Sequence, residues 1–242
     1  MRSKNPKRIL TLVVGAALLA PTAYAQDLVL EEVLVTAQKR EQTIEDVPMS
    51  VSAISGENVD EFLSGSQDIR ALAARVPGLN VETSNGRTQP RFYMRGLGNI
   101  DFDVNASQPV AFVFDNVSME NPVLRSQPLF DVARIEVLKG PQGTLFGKNT
   151  NAGAISVHSV KPGLERNGYV KASYGSRSTS NFEAASNFGM SETFSMRASV
   201  KYQQRDEWID NVYNGDGDDY GGFEEFGWRL QFAWTPSDSF SA

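Results

Sequence analysis

The sequence predicts two structures in tandem: a small α+β domain over residues 47–165, then the first antiparallel strands of a transmembrane β-barrel over 166–242. Three observations predict it. The chain opens with an export leader. Helix and strand patterns mix, between glycine turns, up to about residue 165. Beyond that point, runs of ten residues alternate polar and apolar side chains, the period of a strand with one wet and one apolar face.

The leader comes first. Met1 to Arg8 carries Arg2, Lys4, Lys7 and Arg8 and no acid, and Ile9 to Ala20 is an unbroken apolar run of 12 residues. Ala23 and Ala25 then give the small-x-small pattern that a signal peptidase cuts after. This is a secretory signal peptide, residues 1–25, cleaved after Ala25. A membrane-spanning helix would need about 20 apolar residues. No cysteine follows the run, which excludes a lipid anchor of the lipoprotein type.

Charge and composition narrow the function classes. The chain has 23 basic and 29 acidic residues, and losing the four leader bases leaves 19 against 29. A chain this acidic is a poor nucleic-acid binder, because phosphate contact needs a basic face. With no cysteine there is no disulfide, thiol nucleophile or cysteine-ligated metal. The one histidine, His158, lies in a strand-like run and reads as structural. No enzyme, cofactor or resident metal is expected.

Residues 26–46 form a polar N-terminal segment around "VLVTA" (Val33 to Ala37), a strand-former flanked by charge with no partner of its own nearby. Such a strand suits addition to another protein's sheet. It reads equally well as an ordinary first strand. "VPMSVSAIS" (47–55) alternates as a strand, with Ser55 positioned to cap a short helix through Phe62. A second helix follows, with Ser66 as N-cap, Asp68 in the first turn, and Ile69, Leu72, Ala73 and Val76 at helical spacing. Pro77-Gly78 ends it. Residues 91–98, 109–117, 133–140 and 152–160 read as strands. The third run brings Arg134 and Glu136 to one face, and the second ends in a tight turn at Asp115-Asn116.

The segment after residue 165 changes character. In "FSMRASVKYQ" (194–203) Phe194, Met196, Ala198, Val200 and Tyr202 share one face. In "FGWRLQFAWT" (226–235) Phe226, Trp228, Leu230, Phe232 and Trp234 do the same. Each run has the ~9–11 residues that a tilted strand needs to cross a bilayer, with aromatics at both ends of the apolar face. Residues 168–175 and 181–188 are weaker examples. Short connections (189–193, 236–239) contrast with a long acidic one (205–225), as between the two sides of an outer-membrane barrel. A soluble sandwich gives the same alternation, but strand length, aromatic ends and the leader favour the membrane. Within the acidic connection, "NGDGDD" (214–219) reads as a solvated loop rather than a calcium site.

"KGPQGTLFGKNTNAG" (139–153) has the look of a phosphate cradle. A phosphate loop needs G-x-x-x-x-G-K-[ST] between strand and helix. Here Gly143 and Gly147 are three residues apart rather than four, Asn149 follows Lys148, and the downstream run is a strand that offers no helix N-terminus. The loop is read as a compact structural turn.

The stretch "LFDVARIEVLKGPQGTLFGKNTNAGAISVHSVKP" resembles the C-terminal half of the plug domain of TonB-dependent outer-membrane receptors. "YMRGLG" and "VFDNV" resemble that family's earlier motifs, with Asn116 where glycine is commoner. The likeness runs from about Glu31 to the last residue. It implies that Glu32, Val33, Leu34, Val35, Thr36 and Ala37 are a TonB box. It implies structural or barrel-contacting plug positions at Arg95, Gly96, Asp115, Arg134, Glu136, Gly140, Pro141, Gly143, Gly147 and Gly153. It also implies a 22-stranded barrel when complete, TonB and outer-membrane lipid as partners, and import of a scarce nutrient, most commonly a ferric siderophore or other iron complex. The domains expected are therefore leader 1–25, TonB-box segment 26–46, plug 47–165 and incomplete barrel 166–242. Four strands cannot close, and an open edge in lipid leaves backbone groups unpaired, so the sequence reads as an N-terminal fragment of a longer receptor or the product of a truncated gene. The rival is a soluble periplasmic plug-like interaction module without transport.

Overall fold

The computed structural model describes residues 34–64, 68–84, 86–101, 103–213, 220–237 and 240. The expected cleavage at Ala25, Glu32 and Val33 of the expected TonB box, the cap at Ser66 and the acidic stretch 214–219 lie outside them.

The described chain opens with β1 (Leu34–Val35), which pairs antiparallel with β2 (Gln42–Thr43). The expectation that "VLVTA" has no partner nearby is thus corrected. The polar run after it turns back, with Lys39 at φ 59°, and brings Gln42 beside Val35.

Seven strands follow: β3 (Ser50–Ser55), β4 (Leu79–Glu82), β5 (Arg91–Met94), β6 (Val110–Phe114), β7 (Val117–Ser118), β8 (Val132–Lys139) and β9 (Gly153–Ser159). Five form a mixed sheet in the order β3-β8-β9-β6-β7, in which β6 and β9 run parallel. The β4–β5 pair stands as a separate hairpin. β6 is buried on both faces, and, as expected of a tight turn, Asp115 and Asn116 take a left-handed backbone. Its Phe112 stacks on Phe92, ring centroids 6.0 Å apart, inside a core that includes Val59, Leu72, Ile135 and Ile155.

The helices differ from expectation at their starts. Helix α1 (Glu57–Leu63) begins after Gly56 at φ 56°, and no side chain caps it, Ser55 included. The cap position is glycine, which takes this left-handed backbone without strain but has no side chain to offer the first N–H groups. The second helix is a 3-10 turn (Ile69–Ala71) running into α2 (Leu72–Arg75). Asp68, expected in its first turn, is its cap and accepts the Arg70 N–H at 2.9 Å. Ile69, Leu72 and Val76 face the core as their spacing required.

The remaining strands, β10 (Gly168–Gly175), β11 (Thr179–Ser191), β12 (Phe194–Arg205) and β13 (Phe223–Trp234), form one antiparallel sheet in chain order. Its burial pattern is inverted relative to a soluble sheet. Ser195, Arg197, Ser199, Lys201 and Gln203 of β12 are all buried, whereas Phe226, Trp228 and Phe232 of β13 are 65%, 70% and 56% exposed. A soluble sandwich would bury the aromatic face. This wall turns its polar face to the α+β domain and its aromatic face outward, as a membrane barrel does.

The glycine loop needs one correction. Between β8 and β9 it contains a single helical turn, α3 (Gly143–Phe146), where no helix was expected. That turn precedes Gly147 and Lys148, so no helix N-terminus faces them. Lys148 pairs with Glu120 at 3.0 Å, and the loop closes on itself through Gln142 N–H to Thr150 O and Gly140 N–H to Ala152 O.

Candidate functional site

Two groups of side chains stand out, one where the α+β domain meets the wall and one where the N-terminal segment meets the domain. The first is centred on Asp131, the residue before β8. Its carboxylate is fully buried and accepts two hydrogen bonds from Arg197 of β12, at 2.7 and 2.5 Å. Arg229 of β13 lies 3.7 Å away and donates to the Phe130 and Asp131 carbonyls at 2.9 and 3.0 Å. Glu183 of β11 accepts from the Asp131 N–H at 3.1 Å and from the Tyr169 hydroxyl at 2.6 Å. Lys201 completes the group, donating to the Leu129 carbonyl and to Glu183 at 3.2 and 3.3 Å.

Packing supports this seam. The Arg229 guanidinium stacks over the Phe130 ring, 4.7 Å to the centroid. That ring fits because the facing wall residue is Gly227, where an added Cβ would stand 3.0 Å from it. Gln231 donates to the Ser159 hydroxyl at 2.8 Å, and Ser159 in turn binds Asp115 through its N–H and its hydroxyl. At the far end of the wall Arg87 reaches Glu225 at 2.8 Å and stacks on Phe223. Buried charges survive only when paired and hydrogen-bonded, and this one interface meets that condition several times over.

The second group holds β1. Val35 and Ala37 are completely buried against Val47 and Leu138. Between them, Thr36 donates its N–H to Glu136 Oε1 at 2.7 Å and its hydroxyl to the same oxygen at 3.0 Å. Arg134 donates to Glu136 at 2.8 Å and to the Thr36 hydroxyl at 3.0 Å. His158 Nε2 lies 3.0 Å from the Ser156 hydroxyl and 3.3 Å from that of Thr36. Burial, and then the Arg134 charge, lower the His158 pKa from its ordinary value. A groove of about 860 Å³ opens beside this cluster, lined in part by Thr36, Arg134, His158, Lys161 and Gln231.

Of the expected site residues, Arg134 and Glu136 do share one face of β8. Among the described residues their polar contacts are with Thr36 and His158, and the wall contacts fall to Asp131 and its neighbours. Leu34 is half exposed, while Val35 and Ala37 are core. Arg95 and Gly96 form the turn after β5, with the Arg95 N–H bound to the Gly78 carbonyl at 2.7 Å. Asp115 ties the β6–β7 turn to Ser159 of β9. Pro141, Gly143 and Gly147 are exposed in the loop, after Gly140 has turned it at φ 114°. Gly153 is fixed by close approach, since a Cβ there would collide with the Leu138 carbonyl oxygen. Sequence reasoning did not single out Asp131, Glu183, Arg197, Lys201 or Arg229. The usable signal was three cations on the inner face of two wall strands, which require buried carboxylates opposite them.

An α+β domain seated on the polar inner face of a membrane-type strand wall defines the plug-and-barrel class of outer-membrane receptor. Residues 43–154 match the TonB-dependent Receptor Plug Domain. Over those residues the chain carries the plug domain of TonB-dependent receptors. It is 29% identical over 228 residues to the iron-regulated outer membrane virulence protein of Vibrio cholerae, covering 88% of this chain and 34% of that protein. It is 30% identical over 159 residues to the vitamin B12 transporter BtuB of Vibrio vulnificus, covering 62% of this chain and 25% of that protein. The crystal structure of the ferric yersiniabactin uptake receptor FyuA from Yersinia pestis superposes with a TM-score of 0.70 at 25% identity. That match covers 78% of this chain and 29% of that one. The chain thus spans a quarter to a third of the length of these curated relatives.

Proposed function

We propose that this chain is the plug and first barrel strands of a TonB-dependent outer-membrane importer whose cargo is a ferric siderophore or similar iron complex. The observation that carries the reading is the Asp131 seam, a fully buried ionic contact that seats the α+β domain inside the strand wall. A domain held there closes the lumen, so passage of cargo requires energy delivered from the periplasmic side. Glu32 to Ala37 is the segment suited to receive it, as a TonB box that pairs with TonB by strand addition. An iron chelate as cargo is supported by the iron-regulated relative and the yersiniabactin receptor. The vitamin B12 relative marks how widely cargo varies on one fold.

The test is uptake of radiolabelled ferric siderophores by iron-starved cells expressing the receptor that carries this chain, with and without Val35→Pro. Proline removes a main-chain donor and spoils strand pairing. Cargo binding at the cell surface is expected to persist while uptake falls to the level of a TonB-deficient strain. Unchanged uptake overturns the TonB-box assignment, and no uptake of any iron chelate by the unaltered receptor overturns the cargo class.

A further inference from the structure

We propose that Glu136 is a latch, holding the N-terminal strand docked on the plug until TonB takes that strand by main-chain pairing. The inference rests on the TonB-box reading above and adds the residue that controls access to it. Glu136 is 1% exposed and sits in the middle of the sheet, opposite Ala53 of β3 on one side and Ser156 of β9 on the other. From there its carboxylate reaches a segment a hundred residues earlier and takes both donors of Thr36. One of those donors is the backbone N–H of a residue inside the expected TonB box. While Glu136 holds it, a partner strand cannot.

Little else ties the segment down by main-chain bonds, because β1 pairs with β2 over only two residues. The side chains of Val35 and Ala37 add apolar contact with Val47 and Leu138, but such contact is non-directional and does not block a backbone edge. Release has a defined cost as well. Glu136 Oε2 is buried with no hydrogen-bond partner among the described residues, so departure of Thr36 leaves the carboxylate one hydrogen-bond donor, Arg134, with the His158 ring 3.7 Å away. A buried carboxylate stripped of donors is unfavourable, and this drives the strand back once the partner lets go. The latch therefore resets itself.

The experiment uses the receptor in outer-membrane vesicles with a Gln38→Cys reporter, since this chain has no cysteine of its own. Two quantities are read: the rate of labelling at position 38 by a charged maleimide, and the affinity for the isolated periplasmic domain of TonB. Losing a charge-assisted hydrogen bond shifts an equilibrium by roughly tenfold or more. Glu136→Gln is therefore expected to raise both the labelling rate and the affinity about tenfold. Thr36→Val keeps the N–H and loses only the hydroxyl, so about a threefold rise is expected. A separate Ile155→Cys reporter, in the core, stays unlabelled if the domain remains folded. Should Glu136→Gln expose it, Thr36→Val decides. Wild-type labelling and affinity in the folded variants overturn the latch while leaving the TonB box standing. Faster labelling with no TonB binding in any variant overturns the TonB reading on which the latch depends.

Discussion

Asp131 carries more of the interface than any other residue. It has φ 51°, a left-handed backbone that aspartate tolerates better than most side chains, and this aims the carboxylate out of the domain at Arg197. The pair is buried on both sides, with side-chain exposures of 4% for Arg197 and 0% for Asp131. Removing one member of such a pair costs far more than the pair is worth, because the other charge stays buried without its partner. Asp131→Asn is therefore expected to destabilise the seat of the plug by about 3–5 kcal/mol, seen as a lower denaturant midpoint of the solubilised receptor. Adding Arg197→Gln should recover part of the loss. A double variant as unstable as the sum of the two single ones would mean that the two residues do not act as a pair.

At the scale of elements, the docking of β1 is expected to depend on pH through His158, whose ring Nε2 lies 3.3 Å from the Thr36 hydroxyl. The groups facing its ring are Arg134, which opposes protonation, Glu136 and Asp115, which favour it, and Lys161, which opposes it. Lys39, Arg40 and Glu41 line the same groove. Burial is the largest cause that lowers the docked-state pKa, and the part of it that Thr36 supplies is lost on undocking, so the undocked state is expected to bind the proton more readily. Docking is then full above about pH 6.5, the ordinary histidine value, and weakens as pH falls through it toward the lowered docked pKa. Labelling at position 38 should accelerate between pH 7 and 5, and His158→Asn should flatten that profile. A flat profile in the unaltered receptor would mean that His158 does not sense the docking of β1.

The strands themselves were legible in the sequence because alternation is a local property. Runs such as 194–203 and 226–235 carry it in full; the structure lengthens the first to Phe194–Arg205, and starts the second three residues earlier and ends it one residue sooner, at Phe223–Trp234. Helix starts were less legible, since the first helix begins at Gly56 with no side-chain cap and the second is capped by Asp68, a residue that its sequence position placed in the first turn. The seam was hidden for a different reason. The groups that meet around Asp131 come from residues 129 to 229, and which carboxylate faces which cation is fixed by the seat of the domain, a property of no single segment. The same holds for Thr36 and Glu136, which are a hundred residues apart.

At the scale of the whole molecule, the wall and the plug explain each other's composition. A sheet whose buried face carries Arg197, Lys201, Gln203, Arg229 and Gln231 has no apolar core of its own. Its inner face is satisfied by the plug, through Asp131 and the carbonyls of Leu129 and Phe130, while its outer face is satisfied only by an apolar surrounding. Remove the plug and the inner face keeps its charges but loses these partners, and water is the solvent that can replace them. Deleting residues 43–160 from the receptor should therefore leave the wall foldable in a bilayer but convert a closed lumen into a hydrated one. Planar-bilayer recordings are expected to show steady ion conductance for the deletion and almost none for the intact receptor. Cells carrying the deletion should also become sensitive to hydrophilic antibiotics too large for diffusion porins. A deletion that inserts and stays non-conducting would show that something other than this domain fills the barrel, and the Asp131 seam would then be a contact without the closing role assigned to it.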